Sequence, residues 1–180
     1  MNYPIIYDED VCGDVYVQPE HPNIKYLLDG GGVYNFGGFN CLTVPSAYSV
    51  DKFYRLQNDW KWFPFEQLCE SEQKDLETIA FDRHFDFVLS HTCPLDWEPN
   101  DLFLGMIDQS TVDKSMEIWL NKFKDMFTWD AWCFGHYHAD RIERPNVLQV
   151  FEKFYNLNDI KNMLINPVYE TKAPGYYMGV

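Results

Sequence analysis

The sequence predicts a mixed α/β (α+β) fold in which antiparallel strands come first and strands alternate with helices afterwards. Three β-like segments crowd into about 20 residues near the amino terminus, which is too short for the crossovers that parallel neighbours need. The second half alternates buried apolar runs with segments of helical periodicity. The 180 residues, 46% of them hydrophobic and 18% aromatic, suffice for one packed domain and are too few for a second large one.

The N-terminal strands are predicted from turn residues. Residues 24–28 and 33–36 flank the run Asp-Gly-Gly-Gly at 29–32, which is typical of a β-hairpin. A further strand at 41–44 follows Gly37 and Gly38. These segments are therefore expected to pair in an antiparallel manner.

The second half carries the helical patterns. Pro64 is predicted to open a helix that ends near Asp82, and Ser110 or Thr111 to cap a second one. Strands are predicted at 86–90, 131–134 and 146–151, and a weaker helix at 157–164. The inward-facing residues are Phe65, Leu68, Cys69, Leu76, Ile79 and Ala80 in the first helix, and Val112, Met116, Trp119, Leu120, Phe123 and Phe127 in the second.

Charge and cysteine content exclude several classes of function. The 28 acidic residues outnumber the 14 basic ones, and the formal charge of −14 disfavours direct binding to nucleic acid or to an anionic membrane. The sequence shows no export signal and no apolar window long enough to span a bilayer. Five cysteines without a C-x-x-C pair favour reduced thiols and a cytoplasmic location: Cys12, Cys41, Cys69, Cys93 and Cys133.

Histidines follow two of the predicted strands. His91 comes directly after the strand at 86–90, and His136 and His138 come after the strand at 131–134. Ligand sites in α/β sheets gather at such carboxyl ends. In an extended segment the last two would project to the same side and could bind one metal ion or two adjacent ions, with Gly135 allowing a close turn before them. The alternative is that these are ordinary surface or hydrogen-bonded histidines, as we expect for His21 and His84.

The same segments resemble a known family. Residues 86–94, DFVLSHTCP, and residues 133–138, CFGHYH, look like the last two metal motifs of the calcineurin-like metallophosphoesterases. The likeness extends upstream through 22–24, 37–38 and 47–52, and Ser46 stands where members of the family often have glycine. It covers about residues 20–152 of a single domain spanning 1–180, and leaves 153–180 as a C-terminal extension.

The resemblance implies a β-sandwich flanked by helices and a centre of two divalent ions, such as manganese, iron, zinc or nickel. In that family a bridging hydroxide attacks phosphorus while the metal ions hold the phosphoryl oxygens. Carried over by position, His91 and His136 would bind one ion and His138 the other. Binding would weaken as pH falls, because imidazole must be neutral to coordinate a metal ion.

Three motifs of the family are absent from the sequence. In the family, the bridging carboxylate and the other ligands come from the motifs Asp-x-His, Gly-Asp-x-x-Asp and Gly-Asn-His. Gly13-Asp14 matches only the first two residues of the second motif. The chain thus resembles the C-terminal half of such an enzyme. Two dications without a carboxylate between them repel each other, so we expect a partial metal site and no catalytic residue in this chain alone. The alternative is a metal-dependent phosphodiesterase or phosphatase half that another chain completes.

The truncation also predicts a partner. In the family fold the missing strands form part of the sandwich interior, so the remaining sheet should present an apolar face or an unpaired edge. A second copy in a homodimer, a protein partner or a repacked N-terminal segment is expected to cover it.

A third interpretation rests on the acidic surface. The stretch between Arg83 and Lys114 contains no basic residue and could mimic phosphate toward a basic nucleic-acid-binding protein, as some small phage-encoded inhibitors, including anti-CRISPR proteins, do. The simpler interpretation is a solubilising surface. The predicted interaction surface consists of Asp96, Trp97, Glu98, Asp101 and Asp108. Tyr16 and Phe103 are candidate aromatic anchors in addition to Trp97.

Overall fold

Two β-sheets and flanking helices make up the fold. The computed structural model describes residues 3–103, 105 and 108–165. The described chain contains nine strands and four α-helices. The strands are β1 (Ile5–Asp8), β2 (Gly13–Val17), β3 (Lys25–Leu27), β4 (Gly32–Phe36), β5 (Phe39–Val44), β6 (His84–Ser90), β7 (Thr128–Phe134), β8 (Arg141–Arg144) and β9 (Val147–Gln149), and the helices are α1 (Lys52–Gln57), α2 (Glu70–Ala80), α3 (Ser115–Phe123) and α4 (Leu157–Leu164).

The larger sheet has six strands in the order β4-β5-β6-β7-β9-β8. Its four central strands β5, β6, β7 and β9 are parallel, and the outer strands β4 and β8 pair antiparallel with their neighbours. The smaller sheet is the antiparallel meander β1-β2-β3. The predicted mixed α/β class, with antiparallel N-terminal strands, is therefore confirmed, and the alternation of β6, α3 and β7 is present as expected.

Helices cover both faces of the larger sheet. On one face α2 and α3 bury Leu76 and Leu120 in a core that also contains the β7 residue Trp132. On the other face α4 packs Ile160 and Leu164 against the sheet. The segment predicted as a C-terminal extension thus supplies a helix to the core.

The predicted hairpin around residues 29–32 is wrong. Strand β3 pairs with β2, whereas β4 pairs with β5, so the glycine run connects the two sheets. Gly31 has φ +78°, and a Cβ atom there would lie 2.4 Å from the carbonyl oxygen of Thr43. The glycine is needed because the backbone passes close to β5. The observed hairpin turns instead at Gly37 and Gly38, which have φ +63° and +92°, as a two-residue connection between twisted strands requires.

The predicted helix starts are also wrong. Helix α2 begins at Glu70, where the Cys69 backbone N–H donates to the Glu72 carboxylate over 2.8 Å, and Phe65 is 86% exposed. The apolar pattern that starts at Pro64 spans an irregular segment as well as the helix, so the prediction placed the start of the helix too early. Residues 109–111 likewise form a separate 3-10 turn capped by Asp108, ahead of α3. The strand predicted at 146–151 is shorter, and β1, β2, β8 and α1 were not predicted.

The N-terminal meander packs against the outer strand β4. The hydroxyl of Tyr34 donates to the Asp14 carbonyl over 3.0 Å and accepts from the Leu28 N–H over 3.2 Å. The Asn35 N–H donates to the Val11 carbonyl over 2.7 Å. Residues of the N-terminal segment therefore contact this edge strand of the larger sheet. Among the described residues, no helix has the length and apolar character needed to cross a membrane.

Candidate functional site at the carboxyl edge of the larger sheet

The candidate site lies where the parallel strands end. Since β5, β6, β7 and β9 run in the same direction, their carboxyl ends meet at one edge of the sheet. Backbone hydrogen bonds join the segments that leave this edge: the His91 N–H donates to the Val44 carbonyl, and the Gly135 N–H donates to the His91 carbonyl, each over 3.0 Å. The sheet topology thereby brings the two histidine segments together.

His91 and His136 meet directly. Their ring centroids lie 5.1 Å apart with the planes at 65°. The ring of His138 instead stacks on Phe151, with centroids 4.4 Å apart and planes at 20°. The structure therefore pairs two of the three predicted ligands and places the third beside them, against an aromatic ring.

The segment that carries His136 and His138 is not extended, contrary to the prediction. Both residues are in the left-handed region, with φ +68° and +54°, and the Tyr137 N–H donates to the Gly135 carbonyl over 2.8 Å. Gly135 lies outside that region, and a Cβ atom there would make only ordinary contacts, the nearest at 3.5 Å from the Val150 carbonyl oxygen. The strain thus falls on the histidines themselves. Such strain concentrates at functional sites.

Partial desolvation favours the neutral form of the paired imidazoles. Loss of solvation is the main cause that lowers the pKa of His136 to about 4, and the nearby charges of His91 and His138 lower it further. Desolvation of the His91 ring and, second, the charge of His138 lower the pKa of His91 as well, although the residue as a whole is exposed. At neutral pH both rings therefore offer a nitrogen lone pair to a hydrogen-bond donor or a metal ion.

A buried hydrogen-bond network that the sequence did not predict supports this edge. The Thr92 hydroxyl donates to the Glu117 carboxylate over 2.7 Å and lies 3.2 Å from the Tyr137 hydroxyl. Burial raises the pKa of Glu117, and the hydrogen bond from Thr92 opposes that shift. Glu117 lies three residues before the inward-facing Leu120 on α3. An acidic residue on a buried helix stripe is the signal that could have revealed the network.

Ser46 also adopts a left-handed conformation, with φ +85°, at the position where the resembled family often has glycine. Since a side chain is unfavourable at this φ, we expect Ser46→Gly to raise the free energy of unfolding by about 1 kcal/mol. Urea denaturation of the two proteins measures the difference. Ser49→Gly, at a position without positive φ, is the matched control and is expected to give no gain. A loss of stability in Ser46→Gly would show that the Ser46 side chain contributes more than its strain costs.

Two of the pockets at this edge include the predicted histidines. One of about 320 Å³ is lined by His136, Tyr137 and His138 and by Val50, Leu102, Phe103 and Gln109. A second, of about 240 Å³, lies between the ends of β3, β5 and β6 and includes His91. Neither set of residues beyond the histidines was predicted, because the loops that contribute them are distant in sequence.

The donor set does not fit two metal ions. No group of three or more His, Cys, Asp or Glu side chains in the described parts of the chain is arranged to hold a metal ion. The nearby carboxylate of Asp140 accepts from the backbone N–H groups of Phe151 and Glu152, each over 2.9 Å. Burial raises the pKa values of Cys93 and Cys133, the latter to about 12, so these thiols are protonated at neutral pH. A bridging anion for two dications is therefore lacking among the described residues.

The predicted acidic surface is largely engaged within the chain. The Asp101 carboxylate forms a bidentate ion pair with Arg141, at 2.7 and 2.9 Å, and Glu98 binds Lys114 over 2.7 Å. Asp96 lies 3.8 Å from the Lys124 ammonium, and Asp108 accepts from the Ser110 N–H and hydroxyl. These partners reduce the negative charge that the surface offers to another protein.

Trp97 is a core residue, which corrects its prediction as a surface anchor. It is 5% exposed, and its ring contacts those of Trp129 and Trp132 with centroids 5.7 and 5.1 Å away. The Arg144 guanidinium lies over it at 5.0 Å. The cluster of indole rings excludes water there, so Trp97 stabilises the fold.

The remaining histidines lie outside the site. His21 is exposed, and His84 at the start of β6 contacts the Thr128 hydroxyl at 3.0 Å and the Asp130 carboxylate at 3.4 Å. Comparison with known proteins adds no assignment: no family model matches the chain, and neither a curated protein nor a solved structure does. The function is therefore inferred from the site.

Proposed function

We propose that the chain is a metallophosphoesterase-like protein with an incomplete metal site at His91, His136 and His138, inactive alone and acting as an interaction module. The observation that carries the proposal is the contact between the imidazoles of His91 and His136 at the ends of adjacent parallel strands. Desolvation lowers the pKa of both rings and favours the neutral form, and neutral imidazole is the form that binds transition metals. The β-sandwich implied by the resemblance remains part of this proposal.

The site would hold at most one divalent ion, such as manganese, iron, zinc or nickel. His91 and His136 are the expected ligands, and His138 would join them by leaving Phe151. A metal ion at such a site supplies positive charge that binds phosphoryl oxygens. Because the described residues bring no carboxylate into the cluster, we infer binding of a phosphorylated group without hydrolysis.

An exposed aromatic surface supports the role in interaction. Helix α1 buries no residue, and large apolar side chains remain exposed on it and on the following segment. The rings of Tyr54 and Trp60 contact each other with centroids 5.5 Å apart, and exposed apolar side chains that gather in a patch mark interaction sites. We propose that a second copy or a protein partner covers it. The exposed side chains are Phe53, Tyr54, Leu56, Trp60, Phe63 and Phe65.

One observation favours the alternative of an enzyme half completed by another chain. His91 is exposed and lines the open 240 Å³ pocket beside Pro45 and Ser90, so carboxylates of a second chain have a route to its imidazole. The completed centre would then act as a metal-dependent phosphodiesterase or phosphatase. No comparable observation favours a phosphate-mimicking inhibitor, since the acidic side chains at Glu98 and Asp101 are already paired.

Zinc titration of the metal-free chain tests the proposal. By isothermal titration calorimetry we expect one Zn²⁺ per chain, with an affinity that falls by at least about tenfold in the double variant His91→Ala/His136→Ala. His21→Ala, which removes an exposed histidine outside the site, is the control and should bind as the wild type does. Equal affinity in the double variant would contradict a site at these histidines.

Hydrolysis of bis(p-nitrophenyl) phosphate with Mn²⁺ tests the proposed inactivity of the chain alone. We expect no turnover above the metal in buffer for the chain alone. Turnover that disappears in His136→Ala/His138→Ala would contradict the proposal of an inactive chain. Light scattering on the same sample reports the oligomeric state, and a monomer would exclude a second copy as the cover of the apolar surface.

A further inference from the structure

The 320 Å³ pocket beside His136 has a lining of mixed chemistry. The imidazoles of His136 and His138 lie in it together with the apolar side chains of Val50, Leu102 and Phe103. No Asp, Glu, Lys or Arg side chain belongs to the lining among the described residues, and Gln109 supplies its one amide. A ligand that fits should therefore set a largely apolar group against the apolar side chains and its polar group at the imidazoles.

Aromatic rings form a fixed wall of this pocket. The ring of Phe103 stacks on that of Tyr137, with centroids 6.1 Å apart and planes at 19°. The Tyr137 hydroxyl lies 3.2 Å from the Thr92 hydroxyl, which is itself held by the buried Glu117. The ammonium of Lys114, which pairs with Glu98, lies over the Phe103 ring at 4.8 Å from its centroid. Planar aromatic groups stack favourably on such side chains.

The volume limits the size of the ligand. About 320 Å³ is at the lower end of the range for small-molecule pockets, roughly 300–1,000 Å³. One aromatic ring system with its linker fits this space, whereas a stretch of nucleic acid does not. The amide of Gln109 can both donate and accept, as recognition of a ring bearing polar edge groups requires.

We propose that this pocket binds the planar aromatic part of a phosphoester, a nucleobase or another aryl group, with the phosphoryl group directed to the histidines. The position of the phosphoryl group rests on the proposed function. The aromatic subsite rests on the wall formed by Phe103 and Tyr137 and does not depend on the proposed function.

Calorimetry with three phosphoesters tests the subsite on the full chain with one equivalent of Zn²⁺. The probes are AMP, phenyl phosphate and ribose 5-phosphate. We expect the two aromatic probes to bind roughly tenfold more tightly than ribose 5-phosphate, because their rings can stack on the aromatic side chains of the pocket. Phe103→Ala should abolish that difference. Phe53→Ala, which removes an exposed aromatic residue outside the pocket lining, should preserve it.

Val50→Trp is a second variant that remains informative if Phe103→Ala destabilises the protein. Val50 is exposed and lines the pocket, and the larger side chain should fill the pocket and weaken AMP binding without changing that of ribose 5-phosphate. Equal affinities of AMP and ribose 5-phosphate for the wild type, or unchanged AMP binding in Val50→Trp, would overturn the proposal.

Two further comparisons distinguish a nucleobase from another aryl group, and the proposed metal site from the aromatic subsite. AMP binding more tightly than phenyl phosphate, with the gain lost in Gln109→Ala, would assign a nucleobase, and equal binding of the two would assign a simple aryl group. Adenosine, which carries no phosphoryl group, should bind the wild type without Zn²⁺, and Phe103→Ala should weaken that binding. Adenosine binding by the wild type together with an absence of Zn²⁺ binding would refute the metal site and support the aromatic subsite.

Discussion

Replacing Trp132 by alanine is expected to lower the free energy of unfolding by about 4 kcal/mol. Trp132 on β7 is fully buried, and its ring contacts those of Trp97 and Trp129 with centroids 5.1 and 5.6 Å away. Its indole N–H donates to the Ser90 hydroxyl over 2.8 Å, next to His91. The substitution removes this packing and leaves a cavity between the sheet and α3. Urea denaturation followed by far-UV circular dichroism measures the loss.

Trp60→Ala is the matched control for that experiment. Trp60 is 56% exposed, so its removal should change the free energy of unfolding by less than about 1 kcal/mol. A loss of similar size in the two variants would contradict the placement of Trp132 in the core. Trp132→Phe, which keeps most of the apolar volume, should lie between them.

The second large effect is the loss of stability at low pH caused by His136. The pKa of His136 lies at about 4 in the folded chain, against about 6.5 for an unperturbed imidazole. The unfolded chain therefore binds a proton first as pH falls, and the stability present above about pH 6.5 is lost as pH approaches 4. Since the ring is only partly buried, we expect a loss on the order of 2 kcal/mol over this range.

His136→Gln, which cannot titrate, isolates this contribution. Free energies of unfolding of both proteins are measured between pH 4 and 7.5, and the difference between them should shrink or reverse toward low pH. The raised pKa of Glu117 acts in the opposite direction, because its contribution is present at low pH and is lost as pH rises through its folded value. Both proteins keep Glu117, so its effect cancels in the difference. A constant difference across the range would contradict a lowered pKa of His136 in the folded chain.

The sequence predicted the elements with unambiguous apolar patterns. The strands at 86–90 and 131–134 lie within β6 and β7, and the helix at 157–164 coincides with α4. The strand pairing around Gly31 could not be predicted from the sequence. A run of glycines is compatible with a hairpin turn and equally with a connection whose backbone passes close to another strand. Pro64 and Phe65 extended an apparent helical stripe because periodicity alone does not distinguish an exposed aromatic side chain from a buried one.

The candidate site could be predicted only in part. Two strand exits containing histidines sufficed to expect His91 and His136 at one edge of the sheet, and their rings do meet there. The left-handed backbone at His136 and His138, the stacking of His138 on Phe151 and the wall at Phe103 depend on packing between distant segments. Such contacts leave no local pattern in a single sequence.

Anomalous diffraction from crystals of the chain grown with Zn²⁺ would locate a metal ion at the histidines and requires no activity assay. We predict one zinc peak per chain, bound by the imidazole nitrogens of His91 and His136. Two fully occupied ions bridged by a carboxylate of the same chain, or zinc bound elsewhere with these histidines free, would contradict a partial metal site at this edge of the sheet.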